Sequence, residues 1–272
     1  MGEALSALLR KELREHLKTR RFMVVSFILF GAALALAIYY GKHGGVDALA
    51  SSDLFWILFS MTVPLLALLL GYDAIVGERA RGTLSLLLSR PPSRSLIFGG
   101  KFLFLFLFVG AVLFGAGALA YWLCAAVSGT LPPHSTTDGV FKSYLVEYFA
   151  ATCWLAFSLF FSARMRSPAL CLITVLLLWL LAIPMISRMP LGIYIGRHGG
   201  PEQVTAIPLW AKALYAISPD SCAQELVTRY IANAPAIKAQ ILPFEWCIGA
   251  MLLFLGSFLL SSFLSFRKLS LE

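Results

Sequence analysis

The chain is poor in charge, cysteine and histidine. Charged residues make up 13% of its 272 positions, about half the share of an average soluble domain. Five cysteines are far too few for a disulfide scaffold of this length, which would need about 8–10%. Disorder requires low hydrophobicity and high net charge, and here 59% of residues are hydrophobic. The phosphate cradle G-x-x-x-x-G-K-[ST] is missing: Gly41-Lys42 runs into His43 and Gly100-Lys101 into Phe102. Nor is there an H-x-x-x-H or C-x-x-C spacing for a metal. With a mean hydropathy of +0.82, these absences leave an all-α, polytopic membrane protein that carries no nucleotide-hydrolysing site of its own.

What is present fits that class. Within a bilayer every backbone N–H and C=O must be paired internally, so spans are helices or closed barrels. The sequence has long unbroken apolar runs and not the alternation of barrel strands. A transmembrane helix needs about 20 such residues, and six runs qualify: Phe22–Tyr40, Leu54–Tyr72, Phe102–Val127, Tyr144–Phe161, Pro168–Ser187 and Trp246–Phe266. Pro64 and Pro184 are expected to kink the second and fifth. The first run has Arg20-Arg21 before it and no small-residue cleavage site after it, so it is expected to be a retained span.

The net charge of +8 is distributed unevenly. Basic residues crowd the segment up to Arg21, the loop from Asp73 to Lys101, the Arg164–Arg166 connection and the tail at Arg267-Lys268. Together these hold 15 of the 22 basic residues. The short loops on the other side hold Lys42 and Lys142. By the positive-inside rule both termini are expected in the cytoplasm, and the excess charge calls for no nucleic-acid partner. The whole chain, 1–272, reads as a single transmembrane domain.

Three segments lie outside the runs. Residues 1–21 place Leu5, Leu8, Leu9, Leu13 and Leu17 on one helical stripe, with Arg10, Lys11, Arg14 and Lys18 elsewhere. Such a basic amphipathic helix lies in the membrane interface. In the loop 73–101, Gly82-Thr83 can start a short helix, Leu84 to Leu88 gives it an apolar surface, and Pro91-Pro92 ends it. An exposed leucine ridge either meets a partner or dips into the headgroups. The segment 188–245 has Gly192, Gly196 and Gly199-Gly200 as breakers, then two short amphipathic patterns separated by Ser218-Pro219-Asp220. These are expected to be two short helices resting on the outer ends of the bundle, gating or covering an exit.

Among chemistry-bearing residues, Glu147 is the one acid within a run. It is expected within a turn of the outer end, as a candidate for touching substrate or a gate. His43, His134 and His198 are expected outside the membrane, isolated from one another. Cys222 and Cys247 are both expected near the outer face, where pairing stays open.

The stretch Leu65–Lys101 resembles the ABC-2 type permease subunits of ATP-binding-cassette transporters. The likeness is carried by Tyr72-Asp73-Ala74-Ile75-Val76-Gly77-Glu78, Gly82-Thr83-Leu84, Leu86-Leu87-Leu88-Ser89, Pro91, Ser93-Arg94 and Gly100-Lys101-Phe102. Within that family it is most similar to the permeases of transporters used in nitrous-oxide reductase maturation, although gliding-motility and antibiotic or lipid export permeases share much of the pattern. The resemblance implies that residues 1–21 form an elbow helix and that the knob after span two is a coupling helix docking on an ATPase subunit. The contact would fall on Glu78, Arg79, Arg81, Gly82, Thr83, Leu84, Leu87 and Ser89. It further implies two ATPase copies carrying ATP and Mg, a second permease chain (a homodimer or a paired permease), a bacterial-type inner membrane, and export of an unspecified cargo, with copper-enzyme maturation one such role. Two rival readings remain: a membrane-integral enzyme using the outer histidines, and a membrane anchor for an ATPase that moves no cargo.

Overall fold

The computed structural model describes residues 13, 20–83, 94–131, 133–198, 207–230 and 241–268. Among them the only regular structure is helix, as apolar runs free of a solvated backbone require. Six helical segments are long and apolar enough to cross a membrane: Met23–His43, Asp53–Ala80, Arg94–Ser128, His134–Arg164, Pro168–Arg197 and Phe244–Arg267.

The six runs are thus where they were expected, but the helices outlast them. Span one is α1 (Arg20–His43), followed by the short α2 (Gly45–Ala50). Span two is α3 (Asp53–Gly71) continued by α4 (Asp73–Ala80). Ser52 caps α3 by accepting from the Phe55 N–H at 3.3 Å. Span three is α5 (Arg94–Ser128) and span four α6 (His134–Arg164). Within the connection expected over 73–101, α4 extends to Ala80, and Arg94 to Lys101 are helical and lead into span three, as the sequence implied.

Span five also runs further than its hydropathy. It comprises α7 (Pro168–Leu177), a π turn (Leu178–Ala182), α8 (Ile183–Ser187) and α9 (Met189–Arg197). Pro184 has no N–H for the carbonyl one turn back. The helix widens just before it, the Ile183 N–H reaching back to the Leu178 carbonyl. The expected kink is thus absorbed as a π turn. Gly192 and Gly196, expected as breakers, lie inside α9. Two short helices follow, α10 (Leu209–Tyr215) and α11 (Pro219–Tyr230), and α12 (Phe244–Arg267) is span six.

The core is organised around α6. In its most apolar window 72% of residues are buried, against 17% in spans one, five and six. It packs on α3, α5, α11 and α12, while the outer spans present apolar side chains such as Phe27, Leu170 and Leu253, which only lipid or another apolar surface suits. Where α3 meets α6 the backbones nearly touch. A Cβ on Gly71 would lie 1.8 Å from the Ser158 Oγ and 3.2 Å from the Leu155 carbonyl, so only glycine allows that approach. Between α6 and α12, Trp154, Phe157, Phe254 and Phe258 interlock with centroids 4.6–6.0 Å apart, the spacing aromatic pairs prefer.

Candidate functional site

Two places in the bundle hold polar chemistry, one at the arginine-rich end of α6 and one deeper along it. The first is at its arginine-rich end, where α4 leads to the leucine knob. Helix α3 gives way to α4 at Tyr72, and two amides in the first turn of α4 find a partner on another helix. Ser162 of α6 supplies one acceptor for both: the Ile75 and Val76 N–H groups each donate to its Oγ at 3.0 Å. A hydroxyl oxygen has two lone pairs, so both amides are satisfied. From this anchor α4 continues to Ala80. Gly82 then takes φ +72°, a left-handed backbone that suits glycine and ends helices. The Thr83 hydroxyl donates back to the Glu78 carbonyl at 3.3 Å.

The expected contact residues therefore divide. Glu78 is turned inward: it is 2% exposed and forms an ion pair with Lys101 of α5 at 3.0 Å, both side chains 3% exposed. This corrects its expected place on the contact surface. A charge so buried is tolerated when its partner is there, and the pair clamps the two feet of the knob together. Arg79 is half-buried and donates to the Met165 carbonyl at 3.3 Å, between α6 and α7. Arg81 is exposed and sits 3.6 Å from Asp73. Gly82 and Thr83 are exposed. Leu84, Leu87 and Ser89 lie outside the described residues, as does nearly all of the expected elbow helix. At the far foot Arg94 donates to the Arg267 carbonyl at 2.7 Å, tying α5 to the end of α12.

The second place lies deeper in the bundle, along the middle of α6. Here α11 does not rest on top of the bundle, as expected, but descends into it beside α6 and α12. Its Asp220 carboxylate accepts from the Trp154 indole N–H at 2.6 Å and from the Trp179 indole N–H at 3.2 Å. Trp154 stands ten residues from the end of α6 at Arg164, about 15 Å at about 1.5 Å per residue. At the other end of α11, Tyr230 lies against Gly139, near the start of α6. The two helices are therefore antiparallel, and the acid sits at the deep end. Trp179 belongs to the π turn, so that widening and the Asp220 contact occur at one place. Arg188 donates through Nε to the Ser221 Oγ at 3.2 Å. Glu225 accepts from the Ile241 N–H at 3.1 Å and lies 3.6 Å from Arg229.

Glu147 is not near an exposed end. Helix α6 begins at His134, which puts Glu147 almost four turns in, about 20 Å from that start, and it is 3% exposed. Its carboxylate has no hydrogen-bond partner among the described residues, and the charge it faces is Asp220. His43, His134 and His198 fall on different helix ends, and no group of three metal-ligating side chains occurs among the described residues. All five cysteines are buried free thiols, Cys222 and Cys247 included.

Sequence reasoning missed Ser162, Trp154, Trp179 and Asp220. Only Asp220 had a usable signal, as part of a helix-start triplet. Nothing local reveals that an indole on another helix will meet it.

The profile of the ABC-2 family transporter proteins matches residues 6–271, nearly the whole chain. The chain belongs to the ABC-2 transporter family. It is also similar to two curated proteins, each called "Probable ABC transporter permease protein NosY". The one from Stutzerimonas stutzeri is 39% identical over 127 residues, 44% of this chain and 45% of that protein. The one from Pseudomonas aeruginosa is 38% identical over 128 residues, 43% of this chain and 45% of that protein. The aligned stretch thus spans about half the length of these relatives. As an ABC-2 family member with six apolar helices long enough to cross a membrane, the chain is a multi-pass membrane protein.

Proposed function

We propose that this ABC-2 protein is the permease subunit of an exporter, working as a homodimer with two ATPase subunits that bind ATP and Mg. Its basic end would face the cytoplasm of a bacterial-type inner membrane. The observation that carries this reading is the anchoring of the knob. One foot, α4, is fixed to α6 by Ser162 and to α5 by the Glu78–Lys101 pair. The other foot, α5, is the same helix that bears Lys101. A displacement of the knob by a partner ATPase would therefore move α4, α5 and α6 together, the rocking of packed spans that alternating access requires. Arg81, Gly82, Thr83, Leu84, Leu87 and Ser89 form the docking surface in this reading. Arg79 supports it from behind.

Glu147 and Asp220 would be the polar elements of the path or of its gate. Export serving copper-enzyme maturation is the branch the sequence resembles. It is checked by asking whether a strain lacking the chain makes nitrous-oxide reductase without its copper centres.

The docking claim is tested by co-purification with the ABC ATPase from the neighbouring reading frame, before and after combined Leu84→Asp and Leu87→Asp. Loss of the ATPase is expected, and unchanged co-purification removes these leucines from the interface. A Ser85→Cys variant should resist membrane-impermeant thiol reagents applied to intact cells. Labelling from outside would put the knob on the wrong face.

A further inference from the structure

Glu147 is a buried acid that no described group of the protein answers. Helix α11 lies along α6 and touches it on both sides of this residue. Toward the start of α6, a Cβ on Gly139 would stand 2.5 Å from the Tyr230 carbonyl oxygen. Further on, the Trp154 indole N–H donates to Asp220 at 2.6 Å. Glu147 falls between the two contacts. It precedes Trp154 by two helical turns, about 10 Å, and so shares its face. One turn earlier, Tyr144 packs on Phe59 and Trp56 of α3 with centroids 5.3 and 5.5 Å apart. At about 100° per residue, Glu147 lies inside the arc between Tyr144 and Trp154. Its carboxyl is therefore placed between the α3 side and the α11 side.

Among the described residues, the neighbouring helices bring it neither a donor nor a cation. Charge in α3, α5 and α12 stays near their ends: Asp53, Arg94 with Lys101, and Glu245 with Arg267. Lys101 is held by Glu78. On α11, Glu225 and Arg229 meet one another and the backbone of Ile241 and Leu242. Arg188 bonds Ser221, and Asp220 is itself an acid. Tyr148 donates to the Phe106 carbonyl. Glu147 makes no hydrogen bond to any described residue, either as an acid or as a carboxylate. A buried carboxyl that neither accepts nor donates is costly to keep, and its place in the bundle is explained if something other than the protein completes it.

Two acids on one face attract a cation and repel an anion. The surroundings say which kind. A metal ion needs several ligands, and no group of three metal-ligating side chains occurs among the described residues. Copper(I) prefers sulfur, whereas the Cys153 thiol is turned to the Met251 carbonyl on the α12 side. Aromatic rings flank the carboxyl in the turns before and after it, and their faces attract an ammonium group.

We propose that Glu147 is the binding site for an ammonium group of an organic cargo. Binding is an exchange. In the empty site the carboxyl carries a proton. When the cargo enters, that proton leaves to water and the ammonium takes its place, so the charge inside the bundle is unchanged and no electrons move. This rests on the reading of the chain as an ABC-2 permease with a separate ATPase.

The test uses the full chain co-purified with the ABC ATPase from the neighbouring reading frame, in nanodiscs, with dicyclohexylcarbodiimide as the reagent. A protonated carboxyl adds across its C=N bond and rearranges to an N-acylurea. Nothing leaves, so the peptide bearing Glu147 gains the whole reagent's mass. Glu147 is expected to be labelled. Octylamine, charged at neutral pH, should slow the labelling about tenfold when present at about ten times its dissociation constant. Octanol, octanoate and copper(I) should leave the rate unchanged. Octylamine should also raise ATP turnover in the wild type and not in Glu147→Gln, which should still bring down its ATPase. An unlabelled Glu147 in the wild type overturns the inference, since a site open to cargo is open to this apolar reagent. Equal slowing by octanol reduces the site to an apolar gap, and slowing by copper(I) in place of octylamine makes it a metal site; either result overturns the proposal, as does stimulation that survives Glu147→Gln. The label is read on this chain alone, so its absence leaves the permease reading standing. Retention of the ATPase by the Leu84→Asp, Leu87→Asp variant bears on that reading instead and overturns its docking claim.

Discussion

Acid is buried at two levels along α6, its arginine-rich end and its middle, and it is held there by different means. At the arginine-rich end Glu78 meets a full positive charge, Lys101, at 3.0 Å. Deeper in the bundle Asp220 is held by two neutral indole N–H groups, and Glu147 has no hydrogen-bond donor among the described residues. A charge-to-charge contact in a dry interior is strong once formed and very costly to break on one side. An indole N–H brings no counter-charge, so losing it strands no opposite charge in the interior. The difference separates a stiff transmission foot from a clasp that can open. A knob that conveys motion needs the first, and a helix inserted part-way into a bundle, next to a π turn, suits the second.

The largest expected effect breaks the stiff foot. Lys101→Met leaves Glu78 buried without its counter-charge and should cost about 3–5 kcal/mol. The double variant Lys101→Met with Glu78→Gln should recover most of that loss in thermal unfolding of the detergent-solubilised protein. No recovery would mean that Lys101 acts on something other than Glu78. Opening the clasp should cost less. Asp220→Ala strands two buried indole donors, about 2–3 kcal/mol, and should shift tryptophan emission. An unchanged spectrum and melting point would remove Asp220 as the anchor of α11.

A third change bears on the post that both levels share. Gly71→Ala forces α3 away from α6 and should cost about 1–3 kcal/mol, part of it recovered by Ser158→Ala, since the nearest clash is with the Ser158 Oγ. Full tolerance of the alanine would show that the two helices can separate freely. The smallest effect is expected at Tyr144, which is 5% exposed and whose hydroxyl has no partner among the described residues. Tyr144→Phe should change stability by less than about 0.5 kcal/mol or raise it slightly. A large loss in melting temperature would reveal a hydrogen bond formed in another state of the transporter.

Much of this was legible before the fold. Hydropathy alone located six spans, because runs of the right length without charge have no other stable home in so apolar a chain. The break at Gly82 was marked in the sequence and appears as a left-handed backbone, while Leu84 to Leu88 and Pro91-Pro92 lie outside the described residues. Helix ends were misread for one physical reason. Hydropathy stops at the first charge, whereas a helix stops where its backbone loses partners. Glu78 and Arg79 continue α4 because Lys101 and the Met165 carbonyl receive their side chains, and both partners are distant in sequence. The same blindness put Glu147 near an end: the residues before Tyr144 are polar enough to look like a loop, yet they form the first turns of α6.

Composition and the order of residues were enough to decide that the chain is helical, crosses a membrane six times and carries its positive charge mainly on one side. Those properties follow from the cost of unpaired backbone in hydrocarbon and from charge summed over whole segments, neither of which depends on which helix touches which. Packing alone decided which acid has a cation, which has only indoles, and how deep α11 sits. A buried carboxylate takes its character from the few groups within hydrogen-bonding reach, and those groups are brought there from remote parts of the chain.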